Sequence, residues 1–268
     1  MKSRHGWYVL AAVVVLTMTG CTLRPRVETR EPPTAAAERM AILEERARQW
    51  EMYQGVLRIS AHGPTGTVRR VRTMVLAAQP HRLRMEALNP FGQSVGLLLF
   101  AQDEASLWIP AEKALYTSQQ AETLTEHLLG IPIPAELFIP SLAGVVPRKV
   151  LENLREQPVR SGWRIQDGDP SDSWTATWDF GVSPFELREI HVSGADQAVN
   201  VRYDPPVRLS AGAPPDGMVF SGAGWRLEVK VDRLERVQEL QGEAFQVSYP
   251  SGLRRIDLDH EAWKARGL

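Results

Sequence analysis

The chain has one cysteine, Cys21, in 268 residues. No intramolecular disulfide can form, so a packed core must hold the fold without a covalent staple. An excess of charge is also missing: 31 Lys+Arg stand against 32 Asp+Glu, which leaves no electrostatic footprint for nucleic acid. Beyond the N-terminal region the histidines are His62, His81, His127, His191 and His260, far apart and without metal-ligand spacing. The carboxylates are scattered through turns and polar faces, and no pair is placed to flank a glycosidic bond. There is no Gly-rich phosphate loop, no internal repeat and no low-complexity tract. No metal and no cofactor is expected.

What the chain does have begins at its N-terminus. Lys2 and Arg4 precede an apolar run, Trp7 to Val15, that is too short and badly flanked for a spanning helix. It leads into Leu16-Thr17-Met18-Thr19-Gly20-Cys21, small residues before a cysteine that resemble a bacterial lipobox, with Met18 where Leu is usual. Residues 1–20 then read as a lipoprotein signal peptide, and Cys21 as the acylated N-terminus of the mature chain. An acylated cysteine is no thiol nucleophile, and several acyl chains anchor a protein firmly at about 0.8 kcal/mol per buried CH₂. Thr22 stands where an Asp resembles an inner-membrane retention mark, so the outer membrane is favoured. Without Lys2 and Arg4 the mature chain carries about three net negative charges. The polar, Pro-bearing residues 21–33 read as a tether, and 34–268 as the folded part.

Thr34 to Gln49 has helical spacing, with Thr34 as cap and Ala36, Met40, Leu43, Ala47 and Trp50 on one face. That face packs on the body or binds a partner. From Tyr53 the period becomes two. Tyr53, Leu57, Ile59 and Ala61 alternate with polar residues up to Gly63-Pro64; Val68 to Ala78 follows, then Leu83, Met85 and Ala87 against Arg82, Arg84 and Glu86. After Asn89-Pro90-Phe91-Gly92 comes Val95 to Phe100, apolar on both faces, and then Leu107-Trp108-Ile109 and Leu115-Tyr116. Short connections make this an antiparallel meander.

Residues 121–146 interrupt it with two short helices, Ala121 to Leu129 and Ala135 to Leu142, which must cover something. Strands resume at Trp163-Ile165, Ser173 to Phe180, Ile190 to Val192, Val199 to Tyr203 and Trp225 to Val231, with a Pro/Gly-rich loop through Pro205-Pro206 and Pro214-Pro215. In an extension of about 238–268, Phe245 to Tyr249 and Leu253 to Leu258 have the pattern of one more hairpin. The fold class is mainly β: a curved antiparallel half-barrel of about ten or eleven strands closed by a short-helix lid, with an N-terminal helix. A solid core and a cavity lined for an acyl chain fit the inward aromatics equally.

Gly92-Gln93-Ser94-Val95-Gly96 is a literal G-x-S-x-G, the pattern of a hydrolase nucleophile elbow. An elbow needs strand, sharp turn and helix. Here Ser94 enters a brief apolar run closed by Asp103-Glu104, and the strand–helix alternation of such hydrolases is absent. No catalytic residue is expected, and the chain is read as a non-enzyme.

Several stretches together resemble the LolA/LolB lipoprotein-localisation family, and within it the outer-membrane receptors of the LolB type. They are Tyr53-Gln54-Gly55; Arg82-Leu83-Arg84-Met85 leading to Asn89-Pro90-Phe91-Gly92; Leu128-Leu129-Gly130-Ile131-Pro132-Ile133-Pro134; and Trp225-Arg226-Leu227-Glu228-Val229-Lys230-Val231. The resemblance spans roughly residues 50–235, densely in the first half. It implies a receptor that accepts lipoprotein acyl chains from a LolA-like periplasmic carrier and releases them into the outer membrane, acting as a monomer. It also implies a protruding apolar residue at the Asn-Pro-x-Gly turn, here Phe91 where Leu is commoner.

The candidate transfer loop is therefore Leu88, Pro90 and Phe91. Candidates for the acyl cavity and lid are Leu83, Met85, Leu97, Leu99, Leu124, Leu128, Trp174, Trp178 and Trp225. Burying a Phe is worth roughly 1.5–3 kcal/mol, so Phe91 either folds back onto the body or dips into a bilayer. A tethered binding or scaffold lipoprotein of the same fold is the alternative.

Overall fold

The computed structural model describes residues 35–63, 66–101, 104–129, 134–160, 162–167, 174–194, 198–240 and 242–259, without the side chains of 66–69, 127–129 and 242. Cys21, the signal peptide, the tether, the Thr34 cap, Gly130-Ile131-Pro132-Ile133, the Leu128 side chain and residues 260–268 lie outside what is described.

Helix α1 (Ala36–Gln49) precedes β1 (Met52–Gly63), β2 (Gly66–Ala78), β3 (Arg82–Leu88), β4 (Ser94–Ala101), β5 (Glu104–Ile109) and β6 (Ala114–Ser118). Three helices follow, α2 (Ala121–Leu129), α3 (Ala135–Ala143) and the short α4 (Arg148–Glu152). The second half adds β7 (Arg155–Val159), β8 (Gly162–Gln166), β9 (Thr175–Val182), β10 (Phe185–Ser193), β11 (Ala198–Arg208), β12 (Gly217–Gly222), β13 (Trp225–Arg236) and β14 (Arg254–Asp257). All fourteen strands lie in one open sheet, in the order β14-β6-β5-β4-β3-β2-β1-β13-β12-β11-β10-β9-β8-β7. The long β1 and β13 pair at its centre, where Ile59 faces Val229 and Ala61 faces Leu227.

Period-two patterning decides which side is covered. Tyr53, Leu57, Ile59 and Ala61 of β1 and Leu227 and Val229 of β13 are buried, whereas Arg226, Glu228 and Lys230 are exposed. One apolar cluster joins inward residues from Tyr116 of β6 to Trp163 of β8 with Leu43 of α1 and Phe138 of α3. Both wings reach the same helices, so the sheet curls around them. Phe138 packs against Phe220 of β12 with ring centroids 5.4 Å apart.

The expected curved sheet with a two-helix insert is present, but with fourteen strands among the described residues rather than ten or eleven. Polar Arg155–Val159 pairs with β8 as an edge strand without an apolar face to announce it. Gly217–Gly222 is a strand that the sequence reading did not assign, and β11 runs on through Pro205 and Pro206 to Arg208. The two prolines fall where the β10–β11 register shifts, a bulge that needs no amide donors from them.

The expected C-terminal hairpin is not formed. Residues 242–245 make a single helical turn, and β14 pairs parallel with β6. This segment covers the outer face of β4–β6: Tyr249 packs edge-on against Trp108 at 6.3 Å, its hydroxyl lies 2.8 Å from Ser106 Oγ, and Arg84 donates to the Ala244 carbonyl. No described helix is long and apolar enough to cross a membrane.

Candidate functional site

The inner face of the curl is occupied by α3. Every residue of this helix except Glu136 is buried, including Leu137, Phe138, Ile139 and Leu142. A helix apolar all round belongs in an interior. Its backbone is held by side chains from three other elements. Tyr53 Oη on β1 donates to the Ile139 carbonyl over 2.6 Å, and Tyr203 Oη on β11 donates to the Ser141 carbonyl over 2.9 Å. Arg46 of α1 donates through Nε to the Gly144 carbonyl and through Nη2 to those of Ala143 and Ala213, at 2.8–2.9 Å.

These last bonds close the helix C-terminus, where carbonyls lack intrahelical donors and a cation meets the negative end of the macrodipole. Gly144 ends the helix in the left-handed region at φ +63°, and a Cβ there would press on Val207 and Pro215 at 3.1–3.3 Å. Arg46 is only 2 % exposed, yet no carboxylate pairs with it among the described residues. Burial therefore pushes its guanidinium down to about 10, with Tyr203 raising it and Arg236 lowering it further. Burial likewise holds the Tyr53 and Tyr203 hydroxyls above the ordinary phenol value.

A second feature is the turn between β3 and β4. Asn89 Oδ1 accepts from the amides of Phe91 and Gln93 at 2.9 and 3.0 Å, and its Nδ2 donates to Gln93 Oε1. The main chain closes the same turn, Asn89 N to Gln93 O and Gly92 N to Asn89 O, with Gly92 at φ +80°. On this ordered turn Phe91 is 88 % exposed. It does not fold back onto the sheet or the helices.

The residues expected to line a cavity divide. Leu83, Met85, Leu124 and Trp178 lie in the inner cluster, and Trp174 and Trp225 pack against it. Leu97 and Leu99 are buried outside it. They alternate with inward Leu98 and Phe100, so they face outward, on the side that carries the C-terminal segment with buried Phe245. Leu88 is half-buried and Pro90 exposed beside Phe91. Beside the lid, Ala47, Pro80, Leu137, Val150 and Trp174 border a cavity of about 390 Å³ whose rim carries Glu51, Glu136, Arg148 and Lys149.

Sequence reasoning missed Arg46, Tyr53 and Tyr203 as the groups that hold α3. Arg46 did leave a signal, since it stands next to Ala47 on the apolar stripe of α1. Ser94 opens strand β4, and no helix follows it, so it sits on no nucleophile elbow. His191 lies 3.5 Å from Asp179 and 3.6 Å from Glu189 on the strands β9 and β10. Among the described residues no group of three or more His, Cys, Asp or Glu is placed to hold a metal.

No family model matches the chain, and no curated protein matches it. Solved structures of similar shape include a LolA superfamily protein from Nitrosomonas europaea, 13% identical, with TM-score 0.48, over 77% of this chain and 96% of that one. A domain named for outer-membrane lipoprotein sorting from Vibrio parahaemolyticus is 11% identical, with TM-score 0.46, over 78% and 97%. The Mycobacterium tuberculosis lipoprotein LppX is 9% identical, with TM-score 0.31, over 77% and 100%. Likeness at this level concerns shape, and nothing of what those proteins do passes to this chain through it.

Proposed function

We propose that the chain is an outer-membrane lipoprotein receptor, anchored through acylated Cys21, that takes lipoprotein acyl chains from a LolA-like periplasmic carrier and inserts them into the outer membrane. The observation that carries this reading is Phe91, 88 % exposed on a turn whose hydrogen bonds hold it out. An apolar side chain kept in water by an ordered turn has a use where water ends, at a bilayer.

The inner face supplies the other half. Acyl chains need an apolar surface, and the one behind α3 becomes available when that helix lifts. Tyr53, Tyr203 and Arg46 bond to α3 through main-chain carbonyls, which water can replace when the helix leaves. The Arg46 charge gains hydration in the same movement. No covalent step is involved; cargo moves because each successive site binds the acyl chains better.

The test is Phe91→Glu in a two-step transfer assay. Acceptance from the carrier stays at the wild-type level while insertion into membranes fails. Normal delivery by the variant, with its fold intact, refutes the reading.

The filled inner face favours a second reading, a tethered envelope scaffold in which α3 never leaves. Gentle extraction followed by lipid analysis separates the two: retained acyl chains or lipoprotein support the receptor.

A further inference from the structure

We infer that the outer face of β2, together with the Phe91 turn beside it, is a docking surface for an anionic phospholipid bilayer. This rests on the insertion reading above and adds the orientation of the protein and the lipid charge it selects.

The register builds the surface. Leu88, the last residue of β3, lies opposite Arg72, while β2 starts back at Gly66. The first part of β2 therefore runs on beside the turn with no β3 partner. Thr73, Val75 and Ala77 are buried on the inner side, so Arg70, Arg72 and Met74 point outward. Met74 is 50 % exposed and Val95, just past the turn, 42 %. With Phe91 they are three of the four large apolar side chains left exposed among the described residues; the fourth is Val182.

Charge is distributed to match. Nearby outward arginines have carboxylates: Arg58 with Asp232, Arg84 with Glu86 and Arg226 with Glu228. Arg70 and Arg72 are exposed and have no carboxylate partner among the described residues. Apolar tips with unpaired guanidinium groups behind them suit a lipid surface. The tips sink below the headgroups, and the flat cations meet phosphate. Three apolar side chains bind weakly by themselves, so the face acts together with the lipid anchor. It places the outer side of β2 and the β3–β4 turn, rather than the rim of the sheet, against the membrane.

The experiment is hydrogen exchange on the full lipidated chain bound to vesicles of phosphatidylcholine alone or with phosphatidylglycerol added. Amides of the turn from Phe91 to Val95 should slow when phosphatidylglycerol is present. Arg70→Gln with Arg72→Gln should shift the docking equilibrium about 25-fold towards the undocked state, with α3 exchange unchanged as the check on folding. High salt should mimic the double variant. Equal protection in both vesicle types, or full protection in the double variant, overturns the docking surface and leaves the insertion reading standing. No protection of the turn in either vesicle type overturns both.

Discussion

Tyr53 Oη reaches the Ile139 carbonyl at 2.6 Å and so ties the central strand β1 to the helix that fills the inside of the sheet. Tyr203 makes the matching bond to Ser141 from β11. Both hydroxyls are buried, and a neutral hydrogen bond of this kind contributes about 1 kcal/mol. Tyr53→Phe and Tyr203→Phe should each lower stability by about that amount. The loss should appear first as faster amide exchange within α3, ahead of β1 and β13. Uniform acceleration across the sheet would show that α3 has no opening of its own.

Arg46 should be costlier to lose, and its replacement should matter. Arg46→Ala strands the carbonyls of Ala143, Gly144 and Ala213 and leaves a void, for about 2–4 kcal/mol. Arg46→Met leaves the same carbonyls without their donor and removes the same buried charge, but keeps most of the volume. It should cost clearly less than Arg46→Ala. Urea midpoints of the two variants decide this, and equal losses would mean that the void left by alanine collapses at no cost.

The same three groups set an alkaline limit. Tyr53 and Tyr203 have folded-state values raised above 10.0, chiefly by burial. An acid whose value is raised on folding stabilises the fold below its unfolded value, so stability should hold to about pH 10 and fall above it. Arg46 works in the opposite direction. Lowered to about 10 from 12.5, it releases its proton more readily in the folded state, and stability rises with pH between those values. Two tyrosines oppose one arginine, so the net change from these groups is a loss, steeper in Arg46→Met and reversed to a gain in the double Tyr→Phe variant. Denaturation at a series of pH values above 9, with tyrosinate absorbance followed in parallel, measures both slopes.

The strands that showed themselves in the sequence are those with one dry and one wet face. In β1, β3 and β13 alternation alone placed Leu57, Leu83 and Leu227 inward. Residues 121–146 were legible because apolar helical spacing in a strand protein has to cover something, and α3 does. Strand β7 was not legible, because an exposed edge strand has no apolar face to conserve the period. The lining role of Leu97 and Leu99 was misjudged for the opposite reason. A strand apolar on both faces does not say which face meets which cover, and the second cover comes from a segment more than a hundred residues later. The tie from Arg46 to α3 is equally long-range, bonding side chain to main chain, so no residue pattern announces its partner. The Phe91 turn was the most local feature. Asn89 and Gly92 bracket it within four residues, so the turn was legible, while the sequence left open whether Phe91 stands out from it or folds back.

That second cover carries the last prediction. Phe245 is buried, and Tyr249 meets Trp108 and Ser106, over an outer face that includes buried Leu97, Leu99 and Leu115. The segment then ends on firm ground. Arg254 N bonds to Lys113 O, Leu258 N to Thr117 O, and Asp259 accepts from Ser118 Oγ and Gln119 N. It therefore shields an apolar patch and also covers the edge of β6, two features that otherwise promote association. Phe245→Ala should cost about 3 kcal/mol, and Tyr249→Phe about 1 kcal/mol through the Ser106 bond. Removing residues 238–268 should expose both patch and edge, so that the protein binds hydrophobic dye and elutes as oligomers in size-exclusion chromatography. A truncated chain that stays monomeric and keeps its urea midpoint would show that the outer faces of β4–β6 need no cover.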